Sequence, residues 1–107
     1  MKKTVTKRDI AKRVAQKIDE KLPLTEKVVS ALFTTLREIM AEANPEVRIE
    51  IRDFGVFEVK TTKAKPKARN PKTGEIVYVP PRRKTHFKPG KLLKEALKKP
   101  LDEAVSS

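Results

Sequence analysis

The chain has no cysteine and no tryptophan, and only one tyrosine, one histidine and three glycines among its 107 residues. Without cysteine there is no disulfide, no thiolate nucleophile and no zinc knuckle. His86 stands alone, and a single imidazole with no second His or Cys does not build a common zinc site. No serine or carboxylate lies beside it in sequence to suggest a catalytic triad, so it reads as structural. Long apolar runs are missing too: the longest uncharged stretch, Val28 to Leu36, falls far short of the roughly 20 residues of a membrane span. Nor is there an apolar segment behind Lys2 and Lys3, where Thr4-Val5-Thr6-Lys7-Arg8-Asp9 follows directly, which argues against a secretory leader and predicts a cytoplasmic protein.

Negative charge is scarce as well, with 14 acidic against 26 basic side chains and a formal net charge of +12. Such a surface repels itself and points to a polyanionic partner, with nucleic acid ahead of an acidic membrane surface. The excess is concentrated. Residues 1–55 carry 12 cations and 9 acids and residues 92–107 carry three of each, whereas residues 56–91 carry 11 cations and 2 acids. A net +9 on one third of the chain is the pattern of a dedicated polyanion-binding element, against the plainer reading of a basic disordered loop.

At this length a single domain is expected over residues 1–107. Thr6 and Asp9 form a capping-box start, and Ile10, Ala11, Val14, Ala15 and Ile18 follow at helical spacing, predicting a first helix to about Asp19. Pro23 reads as closing the connection, with Thr25 as the N-cap of a second helix, Glu26 in its first turn and Leu24 stapled against Val29. The apolar set Val28, Val29, Leu32, Phe33, Leu36, Ile39 and Met40 covers more surface than one short neighbouring helix buries, which predicts an obligate dimer. After Asn44-Pro45 the period becomes two: Val47, Ile49 and Ile51 against Arg48, Glu50 and Arg52, a half-buried strand. Asp53-Phe54-Gly55 makes a turn, Val56, Phe57 and Val59 open a second strand, and Ile76 to Val79 resume strand character. Phe87 returns to the core before a final short helix with Leu92, Leu93, Ala96 and Leu97 on one side, ending at Lys98-Lys99-Pro100.

Between about residues 60 and 83 the chain reads as a long hairpin with too little apolar surface for a core of its own, so it projects as an arm and orders fully on a partner. In Lys63-Ala64-Lys65-Pro66-Lys67-Ala68-Arg69 the cations recur at every second residue, so in a strand they line one face at a pitch comparable to phosphate spacing, a face that can track a groove. Pro66 suits an edge or a bulge. Taken alone, Asn70-Pro71-Lys72-Thr73-Gly74 is simply a good turn. At the end of a cationic arm, however, Pro71 flanked by Arg69 and Lys72 is a rigid wedge able to unstack a base step in a minor groove.

Three segments, Asp53-Phe54-Gly55-Val56-Phe57, Arg69-Asn70-Pro71-Lys72-Thr73-Gly74-Glu75 and Thr85-His86-Phe87-Lys88-Pro89-Gly90-Lys91, resemble in order and spacing the signatures of the HU and integration host factor family of bacterial histone-like proteins. The resemblance extends over roughly residues 4–99. It implies an α+β fold: two N-terminal helices, a three-stranded antiparallel sheet with a long protruding β-hairpin arm, and a short C-terminal helix, in an intertwined dimer. The parts would be a helical dimerisation body at 1–45, sheet and arm at 46–91, a helix at 92–99 and a tail at 100–107. It further implies Pro71 as the intercalating residue, with Arg69 and Asn70 beside it in the groove. Lys63, Lys65, Lys67, Lys72, Arg82 and Arg83 would line the arm, and Lys84, Lys88 and Lys91 would meet phosphate from the body or saddle. Phe54 and Phe57 fall on core aromatic positions, joining Val29, Leu32, Phe33, Leu36 and Met40 in the dimer core. The chain departs from the family pattern in Asn44-Pro45, where a glycine-containing turn is expected, and in Pro80-Pro81, which stiffens the returning arm.

The implied activity is architectural: a nucleoid-associated homodimer, or a pairing with a paralogous subunit, that bends or compacts double-stranded DNA without a cofactor, metal, membrane or small-molecule substrate. Specificity would be indirect, because a minor-groove reader senses mainly A·T against G·C and deformability. The alternative from another class is a basic RNA-binding ribosomal-type protein, which would carry aromatics for stacking where this arm has only Tyr78. An enzyme is disfavoured because no motif sets a nucleophile, base and orienting group at a meaningful spacing.

Overall fold

The structure is a computed structural model that describes residues 2–101. The chain divides into two compact units, one ending at Glu42 and one beginning at Ala43. The first is a helical pair, α1 (Lys7–Ile18) and α2 (Leu22–Ala41). The second contains β1 (Val47–Ile51), β2 (Gly55–Thr62), β3 (Lys65–Arg69), β4 (Ile76–Val79), β5 (Arg82–Pro89) and α3 (Lys91–Leu97).

The start of α1 follows the local chemistry of its sequence. The Thr6 hydroxyl accepts from the Asp9 amide at 3.3 Å while the Asp9 carboxylate accepts from the Thr6 amide at 2.9 Å, a complete capping box. These bonds, with Thr6 the first cause and Lys12 and Lys3 adding their charge, hold the Asp9 carboxyl below its ordinary pKa. Asp19 closes the helix in the left-handed region at φ 54°, a conformation aspartate tolerates better than most residues.

The start of α2 differs from the sequence expectation. The N-cap is Lys21 rather than Thr25, and Pro23 lies inside the first turn, where its missing N–H is one of the donors a helix leaves unpaired anyway. Thr25 is buried, and its amide and hydroxyl both donate to the Lys21 carbonyl, at 3.1 and 3.0 Å. It therefore closes the first turn from within. Ala11, Ala15, Thr25 and Val29 are the buried positions of the two helices, small enough for a close approach, and Lys7 Nζ donates to Ser30 Oγ at 3.0 Å across the pair.

In the second unit β1, β2 and β5 form an antiparallel sheet in that order, and β3 pairs with β4 in a separate two-stranded ribbon. The predicted alternation of β1 holds, with Val47, Ile49 and Ile51 half-buried and Arg48 and Glu50 exposed. Asp53 at φ 66° makes the turn into β2, braced by Phe54 N donating to Ile51 O at 3.1 Å. Phe54, Phe57 and Phe87 cluster at centroid distances of 4.8 to 6.1 Å, all tilted near 41°, a favourable arrangement for ring quadrupoles. Gly55 is obligatory here: a Cβ would lie 2.5 Å from the Lys88 carbonyl oxygen and 2.7 Å from the Phe87 ring. The final helix runs from Lys91 to Leu97 behind Gly90 as N-cap, slightly earlier than expected, and of the anticipated tail residues 102–107 lie outside the described ones. Among the described residues no helix is long and apolar enough to cross a membrane.

Candidate nucleic-acid interface

The hairpin expected at 60–83 is jointed. Strands β2 and β5 stay paired from Gly55↔Pro89 out to Thr62↔Arg82, the chain then leaves strand geometry at residues 63–64 and 80–81, and β3 and β4 resume as their own ribbon. Pro80-Pro81 explains one joint, since neither residue supplies an amide donor to a ladder.

The ribbon's register overturns the expectation of a single cationic face. Lys65 is opposite Val79, Ala68 opposite Val77 and Arg69 opposite Ile76, so Pro66 and Lys67 together oppose Tyr78 in a bulge. Val79 and Ile76 are an odd number of residues apart and point to opposite faces, and their partners Lys65 and Arg69 are parted in the same way. Pro66 sits in the bulge because it lacks the donor a regular position needs. Lys63 is in the joint outside either strand, exposed like Lys65, Lys67 and Arg69.

The tip is built by its own side chains. Asn70 N donates to Glu75 O and Gly74 N to Asn70 O, each at 2.7 Å. Asn70 Oδ1 accepts from Lys72 N at 2.9 Å, Thr73 Oγ1 accepts from Glu75 N at 3.3 Å, and Gly74 takes φ 76°. Asn70 is half-buried and committed to shaping the turn, whereas Pro71 and Lys72 are exposed at its end.

At the root of the ribbon an open cleft of about 670 Å³ is lined by Thr62, Lys63, Lys65, Ala68, Val79, Arg82, Arg83 and Lys84. Five of these are cations and none is a carboxylate, so the concavity attracts anions. Arg83 also has a local role that sequence did not reveal, its guanidinium donating to the Ala43 carbonyl at 2.6 Å. From the neighbouring strand the Thr61 amide and hydroxyl donate to the Glu46 carboxylate at 3.0 and 3.2 Å. The β1–β2 pairing ends at Val47↔Val59, and Glu46 supplies the acceptor that β1 no longer offers. Residues 43–46 are thereby fastened to both strands that lead to the ribbon.

Lys84 and Lys88 are exposed on β5, and Lys91 is the first residue of α3. Lys88 is paired: its ammonium lies 2.8 Å from Glu58 Oε1, with Lys60 at 3.8 Å from Oε2. Oε1 is enclosed and receives no ideally directed hydrogen bond, so its compensation is this ion pair. Lys88 first, with Lys60 and Arg48 adding, holds the Glu58 carboxyl below its ordinary pKa in spite of partial desolvation. The partnership follows from register: Glu58 faces His86, and Lys88 is the next residue along the same face of β5. His86 itself is exposed.

Of the expected dimer-core residues, Val29 is buried, Leu36, Met40 and Phe57 are half-buried, and Leu32, Phe33 and Phe54 are 53%, 39% and 44% exposed. The exposed members leave apolar surface on α2 and at the β1–β2 turn.

Comparison with known proteins agrees with this architecture. The family described as Bacterial DNA-binding protein matches residues 5–98. DNA-binding protein HU of Thermus thermophilus is 37% identical over 98 residues, covering 92% of this chain and 97% of that protein. The HU protein of Thermotoga maritima is 34% identical over 94 residues, covering 88% and 100%. Among solved structures, a cocrystal of Anabaena HU with DNA matches with a TM-score of 0.75 at 29% identity, over 90% of this chain and all of that one. With its helical pair, its three-stranded sheet and its basic ribbon, the chain belongs to the bacterial DNA-binding protein family, the histone-like HU proteins.

Proposed function

We propose that this protein is an architectural DNA-binding protein of the bacterial nucleoid, working as a dimer that holds duplex DNA in its minor groove with two ribbons and bends or compacts it. The observation that carries this reading is the tip: an exposed Pro71 on a turn fixed by Asn70, Thr73 and Gly74, at the end of a ribbon rich in cations. A proline ring has no donor to satisfy and little freedom to lose, so it wedges into a base step at small entropic cost, and Arg69 beside it meets the negative potential of the groove. Lys63, Lys65, Arg82, Arg83 and Lys84, gathered in the cleft, neutralise phosphates near the ribbon's root, and Lys72 does so at its tip. Lys88 and Lys91 extend the basic track along β5 into α3. Lys88 must exchange Glu58 for phosphate, so it contributes less than an unpaired cation.

The dimer rests on α2. Val28, Leu32, Phe33 and Ile39 are each at least 39% exposed, and burying such side chains is worth about 1.5–3 kcal/mol apiece when complete. A second copy, or a paralogous chain with the same face, covers them. Readout is indirect, and the family relationship to a protein solved with DNA supports duplex over RNA.

Fluorescence anisotropy of a labelled duplex, titrated across a salt series, tests the reading. Log affinity should fall linearly with log salt, and changing Lys63, Lys65 and Lys67 to Glu should weaken binding to every duplex and reduce the slope by about 0.9 for each phosphate no longer neutralised. An affinity loss confined to one DNA sequence, or tighter binding to single-stranded RNA than to duplex, would overturn it.

A further inference from the structure

The bulge at Pro66 and Lys67 gives the ribbon two unlike faces. On one, Ala68 and Val79 are half-buried and form part of the cationic cleft together with Lys65. On the other, Ile76 and Tyr78 stand two residues apart at 63% and 62% exposure, with Arg69 directly across from Ile76 and the bulge across from Tyr78. Exposed strand positions ordinarily carry polar side chains, and a two-stranded ribbon has no second layer to cover an apolar face. Two large, largely apolar side chains bare on a ribbon whose other strand carries Lys65, Lys67 and Arg69 form a surface made for a partner.

We propose that the Ile76–Tyr78 face is a non-electrostatic contact to duplex DNA, lying against the deoxyribose walls of the minor groove while Arg69 and Lys67 reach the flanking phosphates. The inference rests on the DNA-binding reading above and adds to it a contact that does not depend on counterion release. Charge complementarity selects the occupant, since Arg69 lies across from Ile76 and Lys67 is in the bulge across from Tyr78, which favours a polyanion over an ordinary protein surface. Groove geometry suits the side chains: a minor groove about 6 Å wide admits an aliphatic chain and the edge of a ring, and its floor presents acceptors to a phenolic O–H. Because the contact is apolar, its share of the affinity survives high salt, where phosphate contacts weaken.

Tyr78 is the only tyrosine and there is no tryptophan, so the intrinsic ultraviolet emission of the full chain reports this face directly. The experiment titrates the whole protein with a duplex and with single-stranded RNA of equal length across a salt series, following tyrosine emission and anisotropy for the wild type, Tyr78→Ala and Ile76→Lys. Circular dichroism melts serve as the folding control, since both positions are exposed and the melts should coincide. Duplex should change the Tyr78 emission at saturation. Tyr78→Ala should weaken duplex binding about tenfold, equivalent to about 1.4 kcal/mol, with an unchanged salt slope. Ile76→Lys should steepen the slope while lowering affinity at high salt.

If the wild type binds duplex with unaltered tyrosine emission, and Tyr78→Ala binds equally well, the face is not a DNA contact and the proposal fails while the DNA-binding reading stands. A Tyr78→Ala effect that appears only as a smaller salt slope also overturns it, as does a larger effect on RNA than on duplex. An emission change driven by protein concentration without DNA would assign the face to a second copy instead. Failure of the wild type to bind any duplex is a different result and removes the DNA-binding reading itself.

Discussion

Replacing Gly55 with alanine tests the sheet at its tightest point. Gly55 opens β2, faces Ile51 on one side and Pro89 on the other, and is buried. The added methyl would meet the Lys88 carbonyl oxygen at 2.5 Å and two Phe87 ring carbons at 2.7 and 2.8 Å. The first of these is backbone, held in the β2–β5 ladder, so relief requires β5 to move rather than a side chain to rotate. Phe87 is also constrained, packed at 4.8 Å against Phe57 and 5.2 Å against Phe54. Overpacking of this kind costs about 1–3 kcal/mol, and the backbone obstacle puts Gly55→Ala toward the upper end. For a chain of this size that is a fall in melting temperature of roughly 10–20 °C. Urea unfolding followed by circular dichroism measures it. A destabilisation of less than about 0.5 kcal/mol would show that β5 yields freely and would refute the requirement for glycine there.

The remaining predictions concern the helix start, acid, the dimer and the clasp. Thr6→Ala removes a cap that satisfies the Asp9 amide and should cost about 1 kcal/mol in chemical denaturation; an unchanged midpoint would mean α1 does not depend on its cap. Asp9 and Glu58 both have depressed pKa values in the fold, so their stabilisation is present above the ordinary carboxylate range and is lost as pH falls through that range and below it. A urea midpoint that declines over this acid window, and declines less in Glu58→Gln, is the expected outcome. The unfolding midpoint should rise with protein concentration as dimerisation by α2 requires, and a midpoint independent of concentration would argue for a monomer. Glu46→Gln weakens the acceptor for Thr61 and should increase amide hydrogen exchange at Thr61 and its neighbours, leaving the exchange of α1 unchanged.

What is legible in the sequence is what is encoded locally. The Thr6–Asp9 capping box, the two-residue period of β1 and the turn at Asn70–Gly74 each depend on residues within a few positions of one another, and each appears in the structure as expected. The start of α2 is ambiguous in sequence because Pro23 and Thr25 are both compatible with a helix beginning at either position; burial of Thr25 decides it in favour of the earlier one. The even spacing of Lys63, Lys65, Lys67 and Arg69 suggests one charged face, but spacing along one strand carries no information about its partner. The β4 register, with Tyr78 against two residues, turns Lys65 away from Arg69. Pairings across long stretches of chain, such as Arg83 to Ala43, Thr61 to Glu46 and Lys88 to Glu58, have no sequence signal at all, because only the sheet brings their residues together. Thus the existence of a basic ribbon with a proline tip is readable, and the roles of its individual cations are not.

If the ribbons bend duplex DNA with Pro71 as wedge, the bend itself is the quantity to measure. Energy transfer between dyes on the two ends of a duplex of about 35 base pairs, titrated with the wild type and with Pro71→Ala over a salt series, reports it most directly. The expected result is a salt-sensitive rise in transfer with the wild type, and with Pro71→Ala a much smaller rise at nearly unchanged affinity, since the phosphate contacts remain. No rise at saturating wild-type protein, or the same rise with Pro71→Ala, would contradict the wedge.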